Sequence, residues 1–148
     1  MHHLGHLALL KTLFGKVIVP PAVVQELVHP RPRFPAIDVA SMPFIEIRSP
    51  GNTTLLHELQ DVLDAGEAEA IVLAKELNAE WLLIDESDGR RIAAEKGVPI
   101  MGVLGVLIRA KDRGLVSAVL PLAHRLRDEL GFFLSEATLA EARRLAGE

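Results

Sequence analysis

Asp85 directly follows the apolar run Trp81-Leu82-Leu83-Ile84. An aspartate at the end of a short, buried-type strand has its carboxylate at the rim of an open α/β sheet, and ligands of such sheets bind beyond the carboxyl ends of the strands. Glu67 falls in the first turn of the helix-forming segment DAGEAEAIVLAKELNA, and Glu26 falls on the helix that comes after the β-branched run Val17-Ile18-Val19. Three acids from three separated segments are thus expected to converge on one edge. Carboxylates with oxygen-only donors suit Mg²⁺ or Mn²⁺, which keep several of their waters and accept phosphate oxygens. The chemistry such a pocket supports is hydrolysis, in which the metal activates a water and neutralises charge growing on a phosphodiester.

Each of these residues also has a plain structural use. Asp64-Ala65-Gly66-Glu67 has capping-box spacing, with Asp64 as N-cap and Glu67 reaching back, which does not exclude metal binding. Glu26 can snorkel to water or pair with an arginine. Asp85 and Asp88 can each cap the helix that opens near Asp88. Glu69 reads as a solvated surface acid. Arg90 and Arg91 are either solvated partners of Glu86 or Glu95, or contacts for a nucleic-acid phosphate. Arg109, Lys111 and Arg113 favour a helix C-terminus on ordinary electrostatic grounds, with an RNA backbone as the alternative for Arg109 and Lys111. His2, His3 and His6 read as a frayed terminus, and His29, His57 and His124 have no partners at ligand spacing. No nucleophilic serine motif is present, and GVLG at 102 to 105 lacks the lysine and the length of a phosphate-binding loop.

The elements that must hold these groups alternate in type. Leu4, Leu7, Leu10 and Phe14 recur at helical spacing until Gly15. Val17 to Val19 is a short strand stopped by Pro20, and Pro21 suits the first position of the helix carrying Glu26. HPRPRFP, residues 29 to 35, is a loop. Residues 43 to 48 alternate as a strand, and a helix runs from about Leu55 to Leu63. After the helix that contains Glu67 come a strand at 81–84, a helix at 88–96, a strand at 98–101 and a helix at 103–113. Residues 117 to 130 read as helical with Pro121 in the first turn, 132 to 134 as an edge strand, and Ser135 as the cap of a last helix to about Ala146. Strands separated by helices of ten or more residues imply parallel crossovers and a layered α/β domain.

Bulk properties narrow the function classes. The 148 residues suit one domain, 1–148, with a real core. A hydrophobic content of 49% against 24% charged is that of a folded chain, not a disordered tail. The absence of cysteine excludes disulfides and thiolate zinc sites and, with no signal-peptide pattern, favours a cytoplasmic location. No apolar run reaches the roughly 18 residues of a membrane span. A net charge of −4 argues against nucleic-acid binding by bulk attraction, so local basic groups or bound cations would have to provide it.

Taken in order, GHLALLKTLFGKVIVPPAVVQEL, LDAGEAEAIVLAKEL and WLLIDESDGRRIAAEKGVPIMGVLGVLIRAKDRGLV resemble the PIN-like proteins related to the VapC toxins, in an uncharacterised branch, over nearly the whole chain. The resemblance implies a three-layer α/β/α PIN-like domain with a mostly parallel sheet, metal-dependent cleavage of RNA, and toxin activity restrained by an antitoxin protein. It places the family's acids on Glu26, Glu67 and Asp85, with Asp88 auxiliary. Those three are the residues the rim argument selects. Such proteins usually begin with a central strand that ends in Asp, followed by Ser or Thr. Here Met1-His2-His3 precedes Gly5, so the expectation is a domain whose N-terminal strand and its acid are missing. Sheet edges left exposed in that way favour a homodimer or swapped assembly.

Two other readings stand beside the ribonuclease. One is a degenerate PIN-like domain that binds an antitoxin or RNA without cutting it. The other is a phosphatase of the haloacid dehalogenase type, which also ends a strand in Asp. That class wants a second Asp two residues on and then Gly-Thr, whereas Asp85 and Asp88 are three apart and Arg90 comes after Gly89.

Overall fold

β-Branched side chains at 17 to 19 favour extended backbone, and in the computed structural model, which describes residues 6–30 and 36–148, Val17–Val19 form strand β1. Leu4, His2, His3 and most of the loop expected at 29–35 lie outside the described residues. Pro20 ends β1, and Pro21 opens helix α2 (Pro21–Val28), where its missing N–H leaves no helical bond unmade. The next donor in that first turn, the Ala22 N–H, is bonded at 2.9 Å by the Glu69 carboxylate. Glu69, expected as a solvated acid, is therefore half-buried and satisfies the orphan end of a helix. After a 3₁₀ turn (Val39–Ser41), strand β2 (Ile45–Ile47) pairs parallel to β1 with Val17 opposite Ile45.

Helix α3 (Thr53–Gln60) is capped by the Asn52 side chain, which accepts from Leu55 N–H at 3.1 Å. Helix α4 (Ala65–Glu76) starts as its sequence predicts, with the Asp64 carboxylate accepting from the Glu67 N–H at 2.8 Å. It ends where Asn78 adopts φ +49 and the Ala79 N–H reaches back to the Ala74 carbonyl. Ala68, Ile71 and Val72 on α4 are fully buried, each large side chain contributing about 1.5–3 kcal/mol of transfer free energy. They pack with Leu59, Leu82, Ile84 and Ile92 into one core.

Strand β3 (Leu82–Leu83), helix α5 (Ser87–Glu95) and strand β4 (Ile100–Met101) form a second parallel crossover, Leu82 opposite Ile100 and Leu83 opposite Met101. These strands are shorter than the sequence suggests, although Leu82 N–H to Pro99 carbonyl and Ile84 N–H to Met101 carbonyl extend the ladder at each end. The fold class is thus α/β. The described residues contain two separate two-stranded parallel pairs, β1-β2 and β3-β4.

The chain packs as two compact units, one from Lys16 to Gly102 and one joining the chain up to Gly15 with Val103–Glu148. The described elements of the second unit are helices α1 (Ala8–Phe14), α6 (Val103–Asp112), α7 (Leu120–Leu130) and α8 (Glu136–Ala146). Its core gathers Leu107, Val119, Leu122, Leu126, Leu130 and Ala146. Helix α7 begins at Leu120, later than expected, because Pro121 fits only a first turn. Residues 132 to 134 form no strand. Gly131 ends α7 at φ +68 and the Phe132 N–H bonds back to the Leu126 carbonyl, so a donor that a ladder needs already closes the helix. Ser135 caps α8 as expected, accepting from Thr138 N–H at 3.0 Å. Among the described residues no helix is long and apolar enough to cross a membrane.

Candidate active site

Two parallel crossovers put β1, β3 and the first turn of α4 within one unit, with Glu67 in that first turn, Asp85 just past β3 and Glu26 toward the C-terminal end of α2. Glu26 lies on α2, and its Oε1 is 2.5 Å from where a Cβ on Gly66 would stand. Glu67, the next residue along α4, points its carboxylate at α5, with Oε2 3.2 Å from the corresponding point on Gly89. Asp85 leaves β3 with Oδ1 2.8 Å from the corresponding point on Gly102, just after β4. Each of the three acids therefore lies against a glycine, in space that a methyl group would fill.

The electrostatics differ between the two ends of this row. Burial pushes the Glu67 carboxyl up, and the nearby carboxylates of Asp64, Glu86 and Glu26 push it further, to about 7. Glu26 and Glu67 are thus brought together, in an environment with a surplus of negative charge. Asp85 shares its position over Gly102 with a cation: Arg90 Nη1 is 2.7 Å from the same point and donates to the Ile84 carbonyl at 2.9 Å.

Asp88 is exposed within the first turn of α5, 3.8 Å from Arg91, and the cap position belongs to Glu86. The N-cap position of α5 thus falls on Glu86, whose backbone is extended, and not on Asp85 or Asp88 as expected. Arg91 pairs with Glu95 at 3.1 Å, as its spacing predicts. Lys111, in the other unit, donates to the Ala146 carbonyl at 2.7 Å and to Glu148 at 3.0 Å. Arg109 lies in the last turn of α6.

Oxygen donors around a carboxyl whose proton is held first by burial and then by neighbouring negative charge match the needs of a hard divalent cation. No three Asp, Glu or His side chains among the described residues stand as a ready group for a metal ion. The acids brought together are the pair Glu26 and Glu67.

Sequence reasoning missed Glu86, Arg90's inward turn and the three glycines. Gly66, Gly89 and Gly102 carry no signal of their own, because a missing Cβ matters only for what approaches it.

A family model for the PIN domain matches residues 1–148. The chain belongs to the PIN domain family. Among curated proteins and among solved structures, no match was found. PIN domain membership agrees with the α/β fold and with a nuclease-type architecture in general.

Proposed function

We propose that this PIN domain is a metal-dependent endoribonuclease of the VapC-like, toxin–antitoxin type, acting in the cytoplasm on RNA phosphodiesters and held in check by an antitoxin protein. The observation that carries the reading is the pair of carboxyls at the first turn of α4, Glu26 against Gly66 and Glu67 against Gly89, where burial first and then the charges of Asp64, Glu86 and Glu26 oppose ionisation of Glu67, an opposition that a divalent cation relieves. Glu26 and Glu67 are the residues to hold Mg²⁺ or Mn²⁺. Asp85, just past β3, is the third acid proposed for the cation, and Asp88 on α5 is an auxiliary. When bound, the cation supplies a water of lowered pKa and neutralises phosphate charge. Arg91, exposed on α5 in the same unit as the acids, is the basic side chain offered to the RNA backbone. Self-association is part of the proposal, because β1 and β3 each have one strand neighbour among the described residues.

The test is cleavage of single-stranded RNA with Mg²⁺ or Mn²⁺ and with chelator. Asp85→Asn should lower the metal-dependent rate by ~100-fold or more, the scale on which electrostatic contributions to a transition state are lost. Equal background cleavage by wild type and variant would refute the enzyme.

A second reading, a domain that binds RNA or an antitoxin without cutting, is favoured by the lack of a ready three-acid group among the described residues. Gel-shift of RNA without cleavage, unaffected by Asp85→Asn, would select it.

A further inference from the structure

By spacing alone Arg90 is a candidate for the RNA phosphate, yet its surroundings point elsewhere. The Ile84 N–H donates to the Met101 carbonyl at 3.1 Å, which ties the end of β3 to the end of β4. The Ile84 carbonyl accepts from Arg90 Nη1 at 2.9 Å in a half-buried bond. That carbonyl belongs to the peptide unit whose nitrogen is Asp85's own, and a peptide unit is planar, so fixing its oxygen fixes where Asp85 departs from the strand. The same Nη1 and the Asp85 Oδ1 lie 2.7 and 2.8 Å from the point a Gly102 Cβ would occupy. Gly102 comes directly after Met101, which closes the circuit through strand ends, guanidinium and carboxylate.

We propose that Arg90, over the side-chain-free Gly102, is a positioning residue that sets the direction of the Asp85 carboxylate at the end of β3, and is not an RNA-phosphate contact. The assignment rests on the nuclease reading of Asp85 for its functional consequence. A planar guanidinium can bond a carbonyl with one arm and hold its charge beside a carboxylate with the rest of its fork, whereas a lysine ammonium is a single point charge. Gly102 offers an independent handle: an alanine there adds no charge and no hydrogen-bonding group, and crowds both atoms at once.

The experiment compares wild type with Arg90→Gln, Arg90→Lys and Gly102→Ala in steady-state RNA cleavage with Mn²⁺, alongside the Asp85 side-chain carboxyl ¹³C resonance of each protein without metal or RNA. The positioning role predicts that kcat falls by ~10–100-fold in all three variants, with KM for RNA and the salt dependence of RNA binding unchanged, as for a misplaced catalytic group. It also predicts that the Asp85 resonance moves in all three. A phosphate contact predicts instead a raised KM, a shallower salt dependence, full activity in Arg90→Lys and no effect of Gly102→Ala, and any of these overturns the proposal. An Asp85 resonance that stays in place in Arg90→Gln and Gly102→Ala overturns it whether or not the chain cleaves RNA. Wild-type cleavage that is insensitive to Asp85→Asn removes the nuclease reading alone, and the resonance then decides the positioning role.

Discussion

Glu67 and Glu148 belong to different units, and both have burial working against their charge, yet their carboxyls move in opposite directions. At Glu148 burial is outweighed by the N–H groups of Val119 and Leu120 and by Lys111, which together hold the carboxyl below its usual range. Those bonds, at 2.7 and 3.1 Å from the two backbone donors and 3.0 Å from the lysine, place the carboxylate over the first turn of α7. At Glu67 burial is reinforced by Asp64, Glu86 and Glu26, and the carboxyl rises to about 7. The first arrangement is accounted for by stability, since the anion satisfies orphan helix donors. The second opposes stability at neutral pH, and strained ionisation of that kind concentrates where proteins do chemistry.

The largest effect expected from this contrast is on cleavage. Glu67→Gln should lower the metal-dependent rate of RNA hydrolysis by ~100-fold or more. It should also abolish the rise in melting temperature that added Mn²⁺ gives the wild type, because an ion that binds only the folded chain stabilises it by mass action. A wild type that shows no cation-dependent shift would leave the acid pair without the role given to it.

Next in size is Gly66→Ala. Its Cβ would meet Glu26 Oε1 at 2.5 Å and Val23 Cγ2 at 3.4 Å, where α2 packs on α4. Because Oε1 is the far end of a flexible side chain, Glu26 swings away at little cost to stability, read by urea unfolding, and Mn²⁺ affinity should fall. Unchanged affinity would separate Glu26 from the cation.

Smaller again is the pH dependence of the wild-type fold. A carboxyl raised from 4.5 to about 7 on folding binds its proton more tightly in the native state, so its contribution to stability is fully present below 4.5 and is lost as pH rises to about 7. The shift corresponds to roughly 3 kcal/mol, reduced to about 1 kcal/mol for a half-exposed, solvent-screened group. Glu67→Gln should therefore be more stable than wild type at pH 8 by about that amount, and equal to it at pH 4. Equal stability at both values would place the Glu67 carboxyl in its ordinary range.

Legibility in the sequence divides in the same way, between near and far partners. Pro21 at the head of α2, Asp64 at the head of α4 and Ser135 at the head of α8 are all readable, because the proline needs no partner for an N–H it lacks and each of the two caps acts on a donor within a turn of itself. Glu69 is not, since the N–H it satisfies lies 47 residues away. Phe132 to Leu134 looks extended by composition, but the left-handed Gly131 directs the Phe132 N–H into closing α7, a choice set by the geometry of the helix terminus and not by strand propensity. The strand-end place of Asp85 is legible from the apolar run before it. The inward turn of Arg90 is not, because its acceptor is a main-chain carbonyl, and any residue type at 84 presents one.

The smallest effect tests the structural half of the contrast. Glu148→Gln keeps the shape of the side chain but offers one acceptor oxygen to two backbone donors and Lys111, and turns an NH₂ toward the remainder. A loss of about 1 kcal/mol at pH 7 is expected, the roughly 1.5–3 kcal/mol scale of a hydrogen bond to a charged group reduced by solvent screening near the surface. Because the Glu148 carboxyl is lowered on folding, its contribution is present above the unfolded value and is lost as pH falls through the lower folded value. The gap between variant and wild type should accordingly close in acid, the reverse of the trend at Glu67, while RNA cleavage stays at the wild-type rate. Urea unfolding at pH 7 and pH 3 checks this. A gap that widens in acid would mean that Glu148, too, is opposed by its surroundings, and charge surplus at a half-buried glutamate would then no longer distinguish chemistry from scaffolding in this chain.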